Sequence, residues 1–432
     1  MKRQSNLPGK KVYIVDGSRT PFLKTKGQRG PFSASDLAVQ TGRALLMRQV
    51  FASDAIQEVI IGNTIPGLDE ANIARIIALR LGCRSDVPAW TVHRNCGSGM
   101  QALDAAAQSI ATGRADLVLA GGGDAMSHAP LLFNTKMTNW LFAWMGAKSV
   151  QKRMNLLLQW RISFLTPVIA LLQGLTDPIV GLNMGQTAEQ LTYLFNISRE
   201  AMDRFAVQSH ERLAQAQDEH FLQEITPIID ERGRVYTTDD GLRRDCSLEK
   251  LDKLKPFFDP FGSVTAGNSS QITDGACLLL LASEKALSRY HLTPLGRIVD
   301  VEWAALSPSL MGLGPVHAST SLLLRHGFQL SDVDYWEINE AFAAQVLACQ
   351  VAFADPNYCT QHFGISEPLG ALNETRLNVD GGAIALGHPI AASGARLVLH
   401  LLHVLKRKQA RLGVASLCIG GGQGGAMCVE RI

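Results

Sequence analysis

No run of about 18 uninterrupted apolar residues, the length a helix needs to cross a bilayer, occurs in this 432-residue sequence. The greasiest stretch, from Trp160 to Leu182, is broken by Arg161, Pro167 and Pro178 and by glycine and polar residues. Nor does the start read as a secretory leader. The basic start, Met1 to Lys11, is followed by no apolar stretch of roughly 7 to 15 residues, so the expected setting is a reducing cytoplasm. The eight cysteines, at 83, 96, 246, 277, 349, 359, 418 and 428, form no CxxC pair and no metal-ligand spacing, and no metal site is expected. Charge of one sign is scarce as well: 41 Lys plus Arg against 39 Asp plus Glu leaves +2, which argues against a nucleic-acid partner.

What is present reads as a globular chain, with 46% apolar and 19% charged residues. Its length predicts two or three domains. Short β-branched runs, Val12–Val15, Val59–Ile61 and Leu117–Leu119, alternate with helical periodicity and predict an α/β fold with buried strands. One helix starts near Gly99, sets Met100, Leu103, Ala107 and Ile110 on one stripe, and ends at Thr112-Gly113. The order Ser98-Gly99, helix, strand, Gly121-Gly-Gly123 is echoed by Ser393-Gly394, helix, strand, Gly420-Gly-Gly422, which suggests a duplicated half. The second helix is apolar nearly all round from Arg396 to Leu405 and is expected between layers.

From Ala125 to Thr176 there is no Asp or Glu, while Lys136, Lys148, Lys152, Arg153 and Arg161 lie among Trp140, Trp144 and Trp160. That composition suits a helical segment lying on a membrane or docking a partner, and equally one lining a pocket for an anionic ligand. Prolines near Pro167 and from Pro256 to Pro260 mark loops.

Four places carry chemistry. Cys96 stands directly before the amphipathic helix, where unpaired N–H groups and the helix's positive end would lower a thiol pKa. A packed, inert thiol is the other reading. His388 lies in the glycine-dense Gly381-Gly-Ala-Ile-Ala-Leu-Gly-His-Pro389, where backbone can approach a ligand closely. Cys418 meets Gly420-Gly-Gly-Gln-Gly-Gly425, whose free N–H groups could bind an oxyanion. Asn339-Glu-Ala-Phe342 follows a strand and places an amide at its carboxyl end.

In these blocks, and in their order, the chain resembles the thiolase family over nearly its whole length. A fifth block, Thr265-Ala-Gly-Asn-Ser-Ser-Gln-Ile-Thr-Asp-Gly275, is similar to that family's coenzyme A loop. The resemblance implies a layered α-β-α-β-α thiolase fold of two duplicated halves with mixed sheets, plus a loop domain. Residues 1–128 and 274–296 would form the N-terminal half, 129–273 the loop domain and 297–432 the C-terminal half. Cys96 would be the acylated nucleophile, His388 its activator and Cys418 the acid/base. Asn339 would hold a water beside His388, and the N–H groups of Cys96 and Gly420 would form an oxyanion hole. Ser270, Ala266 and Gly267 would contact CoA, and Met184 the acyl tunnel.

Asn183 stands where many short-chain members carry histidine. The implied reaction is cleavage of 3-ketoacyl-CoA by CoA in fatty-acid β-oxidation, with acetoacetyl-CoA thiolysis or condensation as the alternative. CoA and acyl-CoA would be substrates, and no cofactor is implied. The implied assembly is a homodimer or tetramer. The basic insertion is similar to that of fatty-acid oxidation complex β-subunits, which implies an α-subunit as partner, while its composition alone points to a peripheral membrane contact through residues 133–180. Asn339 departs from the histidine usual in those subunits. A decarboxylating condensing enzyme, a Cys-His-Asn hydrolase and an inactive carrier compete less well, because none uses Cys96, His388, Cys418 and the CoA-like loop together.

Overall fold

The computed structural model describes residue 7 and residues 9–432. Five strands form the N-terminal half, in the spatial order Ala89–Val92, Glu58–Gly62, Leu117–Ala125, Thr273–Ser283 and Val12–Arg19. Glu58–Gly62 runs parallel to both of its neighbours, and the remaining pairs are antiparallel. The C-terminal half repeats the pattern: Tyr335–Ile338 lies parallel to Leu412–Ile419, which is followed antiparallel by Gln423–Arg431 and Gly296–Ala305. A single parallel bridge between Trp336 and Leu377 stands where the first half has Ala89–Val92. The duplication expected from the glycine echo is therefore present strand by strand. The halves also join edge to edge, because Val12–Ile14 pairs with Gly296–Ile298.

Two helices fill the layer between the halves. Ser98–Ala111 buries Met100, Leu103, Ala107 and Ile110 completely, as its apolar stripe predicts. Ile390–Arg407 is buried on nearly every side, from Ala391 to Leu402 without interruption. It can bury nearly every face because strands of both halves and the other central helix contact it. Lys406 and Arg407 close its last turn, where they complement the helix dipole. Ala34–Met47 and Ile73–Arg80 cover the outer face of the first half, while Gly314–His326 and Ala343–Ala354 cover that of the second.

The loop region between the strands Leu117–Ala125 and Thr273–Ser283 is pinned to the halves by buried charge. Arg19 reaches Asp239 at 2.7 and 2.9 Å and Glu224 at 3.3 Å. His400, from the central helix, reaches Glu224 at 3.0 Å and Asp380 at 3.1 Å. That pairing pushes His400 up to about 10 despite its burial, so it stays protonated and supplies the cation these carboxylates need.

The two central helices meet through small residues. A Cβ on Gly99 would lie 2.4 Å from the Ala391 carbonyl oxygen, and one on Gly394 would lie 2.7 Å from the Met100 nitrogen. Gly122 on the adjacent strand is tighter still, at 1.9 Å from that same Ala391 oxygen. The obstacles are backbone atoms, so a methyl group cannot be absorbed by a rotamer change. Gly99→Ala is expected to cost about 1–3 kcal/mol, read as a lower urea midpoint with unchanged slope. An unchanged midpoint would show that the helices are free to separate.

Candidate functional site

Cys96 sits in a tight turn ahead of the helix Ser98–Ala111. Asn95 adopts a left-handed φ of 43°, a conformation asparagine tolerates better than most residues. The Ser98 hydroxyl donates to the Asn95 carbonyl at 2.7 Å and accepts from Arg94 N–H at 2.8 Å. Asn95 also reaches across the halves: its Nδ2 donates to the Gly420 carbonyl at 2.8 Å. On the adjoining peptide unit, the Gly420 N–H faces Cys96 and hydrogen-bonds to its sulfur.

Burial pushes the Cys96 thiol up to about 11, against the opposing hydrogen bonds of Gly420 and its own backbone. This corrects the expectation of a lowered pKa. A helix does start two residues after Cys96, but desolvation is the larger effect. Cys418 closes the strand Leu412–Ile419 and is buried. Its thiol lies well above the usual range, first from burial and then from the neighbouring Cys96.

His388 comes from the loop before the other central helix. Its Nδ1 donates to Ser393 Oγ at 2.5 Å, and that hydroxyl donates onward to the Pro389 carbonyl at 2.9 Å. Because the serine proton is committed to the carbonyl, the imidazole proton sits on Nδ1 and Nε2 keeps its lone pair. Asn339 Nδ2 points to that lone pair at 3.4 Å. Burial, with Arg396 nearby, lowers His388 to about 4, so it is neutral at physiological pH. Asn339 is fixed by its own N–H donating to the Ser416 carbonyl at 2.9 Å, and its Oδ1 is buried without a hydrogen-bond partner.

Cys96 and Gly420 line a cavity of about 380 Å³ together with Asn95, His93, Met184, Thr64–Pro66 and Ile390. Pro130 and Ala170, Leu171 and Gly174–Thr176, from the two ends of the acid-free insertion, supply another wall, continued by Asp177 and Pro178. Of the residues expected to contact CoA or the acyl chain, Met184 lines this cavity. Ser270 N–H donates to the Ala341 carbonyl at 2.9 Å, and the next residue, Gln271, accepts from His388 N–H at 3.0 Å. The loop is thus tied to the asparagine and histidine blocks. Ala266 is exposed, and Gly267 packs under Leu251 and Leu254. Among the described residues, no three His, Cys, Asp or Glu side chains gather as a metal site.

Sequence reasoning passed over Asp124. Buried among five donors, it accepts from Asn63 Nδ2 (2.9 Å), Thr64 N–H (2.8 Å), Thr64 Oγ1 (2.6 Å), Ile65 N–H (3.2 Å) and Ala391 N–H (2.7 Å). It ties the cavity wall to the helix that follows His388. The available signal was an aspartate ending a glycine run on a buried strand. Ser393 and Asn95 were visible only as parts of motifs; their hydrogen bonds join residues the chain brings together.

Residues 12–285 match the family model "Thiolase, N-terminal domain" and residues 292–431 match "Thiolase, C-terminal domain". The chain is 37% identical to an acetyl-CoA acetyltransferase of Shinella zoogloeoides, over 97% of this chain and 98% of that protein. It is 39% identical to a β-ketoadipyl-CoA thiolase of Escherichia coli, over 98% of this chain and 100% of that one. The crystal structure of human mitochondrial 3-ketoacyl-CoA thiolase in complex with CoA superposes with a TM-score of 0.84 at 35% identity, covering 100% of both chains.

A protonated resting thiol has a kinetic signature. Iodoacetamide alkylation of Cys96, taken by difference from Cys96→Ala, is expected to rise about tenfold per pH unit from neutrality upward, because thiolate is the reactive form and pH stays below about 11. A plateau already reached at neutral pH would mean that the sulfur rests as thiolate.

Proposed function

Because the chain belongs to the thiolase family of CoA-dependent acyltransferases, we propose that it cleaves medium-to-long-chain 3-ketoacyl-CoA with CoA, in fatty-acid β-oxidation, through an acyl-enzyme on Cys96. The observation that carries this reading is the meeting of Cys96 and Gly420 at the cavity, with the Cys418 thiol close enough to feel Cys96 and the lone pair of a neutral His388 held beside Asn339. A nucleophile, a base and a second proton carrier are what carbon–carbon cleavage beside a thioester requires.

In this mechanism His388 Nε2 takes the Cys96 proton as the sulfur attacks the 3-keto carbon. The Cys96 and Gly420 N–H groups receive the developing oxyanion. The C2–C3 electron pair passes into the enolate of acetyl-CoA, and Cys418 gives C2 its proton. A water on the unpaired Asn339 Oδ1, with His388, would bind the enolate oxygen. After acetyl-CoA leaves, the Cys418 thiolate takes the proton of a second CoA thiol, which attacks the acyl-Cys96 carbonyl. His388 returns its proton to the released sulfur. Ser270 and the loop through Gly267 and Ala266 would support the pantetheine, and Met184 the acyl chain. CoA and acyl-CoA are substrates, and the residues need no cofactor for these steps.

The apolar wall made by Ile65, Pro66, Leu171 and Leu175 favours a chain longer than acetoacetyl. We further propose a homodimer through the sheet edge Ala89–Val92, which ends the strand order just before Cys96 and leaves Trp90 exposed. A tetramer or an α-subunit of an oxidation complex would add to this core.

Thiolysis of four-, eight- and sixteen-carbon 3-ketoacyl-CoA is expected to increase from the shortest chain. Cys96→Ala should abolish both turnover and acyl-enzyme detected by mass spectrometry, and Asn339→Ala should cost about 100- to 1,000-fold in kcat. Cleavage of four carbons alone would make the protein an acetoacetyl-CoA thiolase. Undiminished turnover without Cys96 would overturn the mechanism.

A further inference from the structure

The helix Val150–Gln159 carries its apolar side chains outward. Val150, Met154, Leu157 and Leu158 stand at i, i+4, i+7 and i+8, one stripe of a helix, and are 79%, 54%, 49% and 75% exposed. A stripe of that kind ordinarily faces a core. The preceding helix, Thr135–Gly146, adds exposed Phe142 and Met145, and neither helix contains a buried residue. Fourteen of the 31 exposed large apolar side chains among the described residues fall between Leu131 and Leu172. They are too concentrated to be the scatter of an ordinary surface.

The pair of helices is nevertheless internally organised. Trp140 stacks on Trp144 with ring centres 5.4 Å apart, and its Nε1 donates to the Leu156 carbonyl at 2.9 Å. Arg153 Nε donates to the Ala147 carbonyl at 3.2 Å. The apolar face is therefore presented by a fixed scaffold.

Charge decides what that face accepts. Lys136, Lys148, Lys152, Arg153 and Arg161 lie in a stretch with no acidic residue from 125 to 176. A second copy docking through the same face would set cations against cations with no carboxylate to pair them. A flat, negatively charged layer with an apolar interior satisfies both features at once. We propose that the face formed by Thr135–Gly146 and Val150–Gln159 seats on an anionic lipid bilayer. The apolar stripe enters the acyl boundary and the lysines lie among the headgroups. Pro130 and Leu171, at the two ends of the same insertion, line the Cys96 cavity, so docking brings that wall near the bilayer. The inference is independent of which acyl-CoA the site cleaves.

The test is flotation of the full-length protein with phosphatidylcholine vesicles, with and without about one third phosphatidylglycerol, at low and high salt. Wild type is expected to float with anionic vesicles and to release at high salt. The variant Lys136→Glu/Lys148→Glu/Lys152→Glu should bind about 100-fold more weakly, on the order of five-fold per cation. Phe142→Ser/Leu158→Ser should also lose binding. All five side chains are exposed and outside the reaction machinery, so turnover of soluble substrate should be unchanged. Equal binding to neutral and anionic vesicles, no binding, or wild-type flotation by the charge-reversed variant would overturn the proposal. So would light scattering that shows Phe142→Ser/Leu158→Ser splitting an oligomer, which would assign the face to a second copy.

Discussion

Gly99 and Gly394 face each other where the helix after Cys96 crosses the helix after His388, and Gly122 lies under the same crossing. Distances of 1.9–2.7 Å from would-be Cβ atoms to backbone mean that two main chains, not two side-chain layers, are in contact. Each helix begins at a loop that carries a reactive side chain, so the depth of this crossing sets how far the sulfur is from the imidazole. The duplicated topology supplies the two helices, and the glycines allow them to converge.

The same convergence creates an electrostatic problem, because the loops that must meet are taken out of water. Asp124 illustrates the solution. Five donors surround its carboxylate, and they come from the cavity wall and from the start of the second central helix. One buried anion thereby orders two segments that share no sequence neighbourhood, and satisfying it fully is what keeps its burial from being a net loss. Arg19 and His400 do the corresponding work farther from the sulfur, where cations from the two halves hold Glu224, Asp239 and Asp380 of the surrounding loops.

Periodicity and glycine placement made the central layer legible: the stripe from Met100 to Ile110 and the all-round apolarity of Arg396–Leu405 both have one structural solution. The repeated Ser-Gly before each helix was readable as duplication, although its meaning as the contact point of the two copies required coordinates. The reactive side chains could be named because each stands at a strand end or helix start. Their electrostatics could not, since the helix end beside Cys96 is visible in sequence while the desolvation that overrides it depends on residues hundreds of positions away. The insertion shows the same limit. Its composition admits a pocket lining or a docking face, and the fold assigns its ends to the first and leaves its helices facing outward.

Neutrality of the resting pair is itself a functional arrangement. A buried thiolate–imidazolium pair would have to recover the desolvation of two charges before any substrate bound. Here Cys96 holds its proton and His388 presents a lone pair fixed by Ser393, so little of that penalty is incurred at rest. The sulfur also stays in its less oxidisable form while the cavity is open. Charge separates only when an electrophilic carbon accepts the sulfur's electrons. At that moment the negative charge moves off sulfur and onto an oxygen that the Gly420 N–H, already facing the sulfur, can receive. Preorganised donors are most effective where charge is created rather than where it rests. The hydrogen bond from Asn95 to the Gly420 carbonyl anchors the residue whose N–H, on the adjoining peptide unit, is that donor.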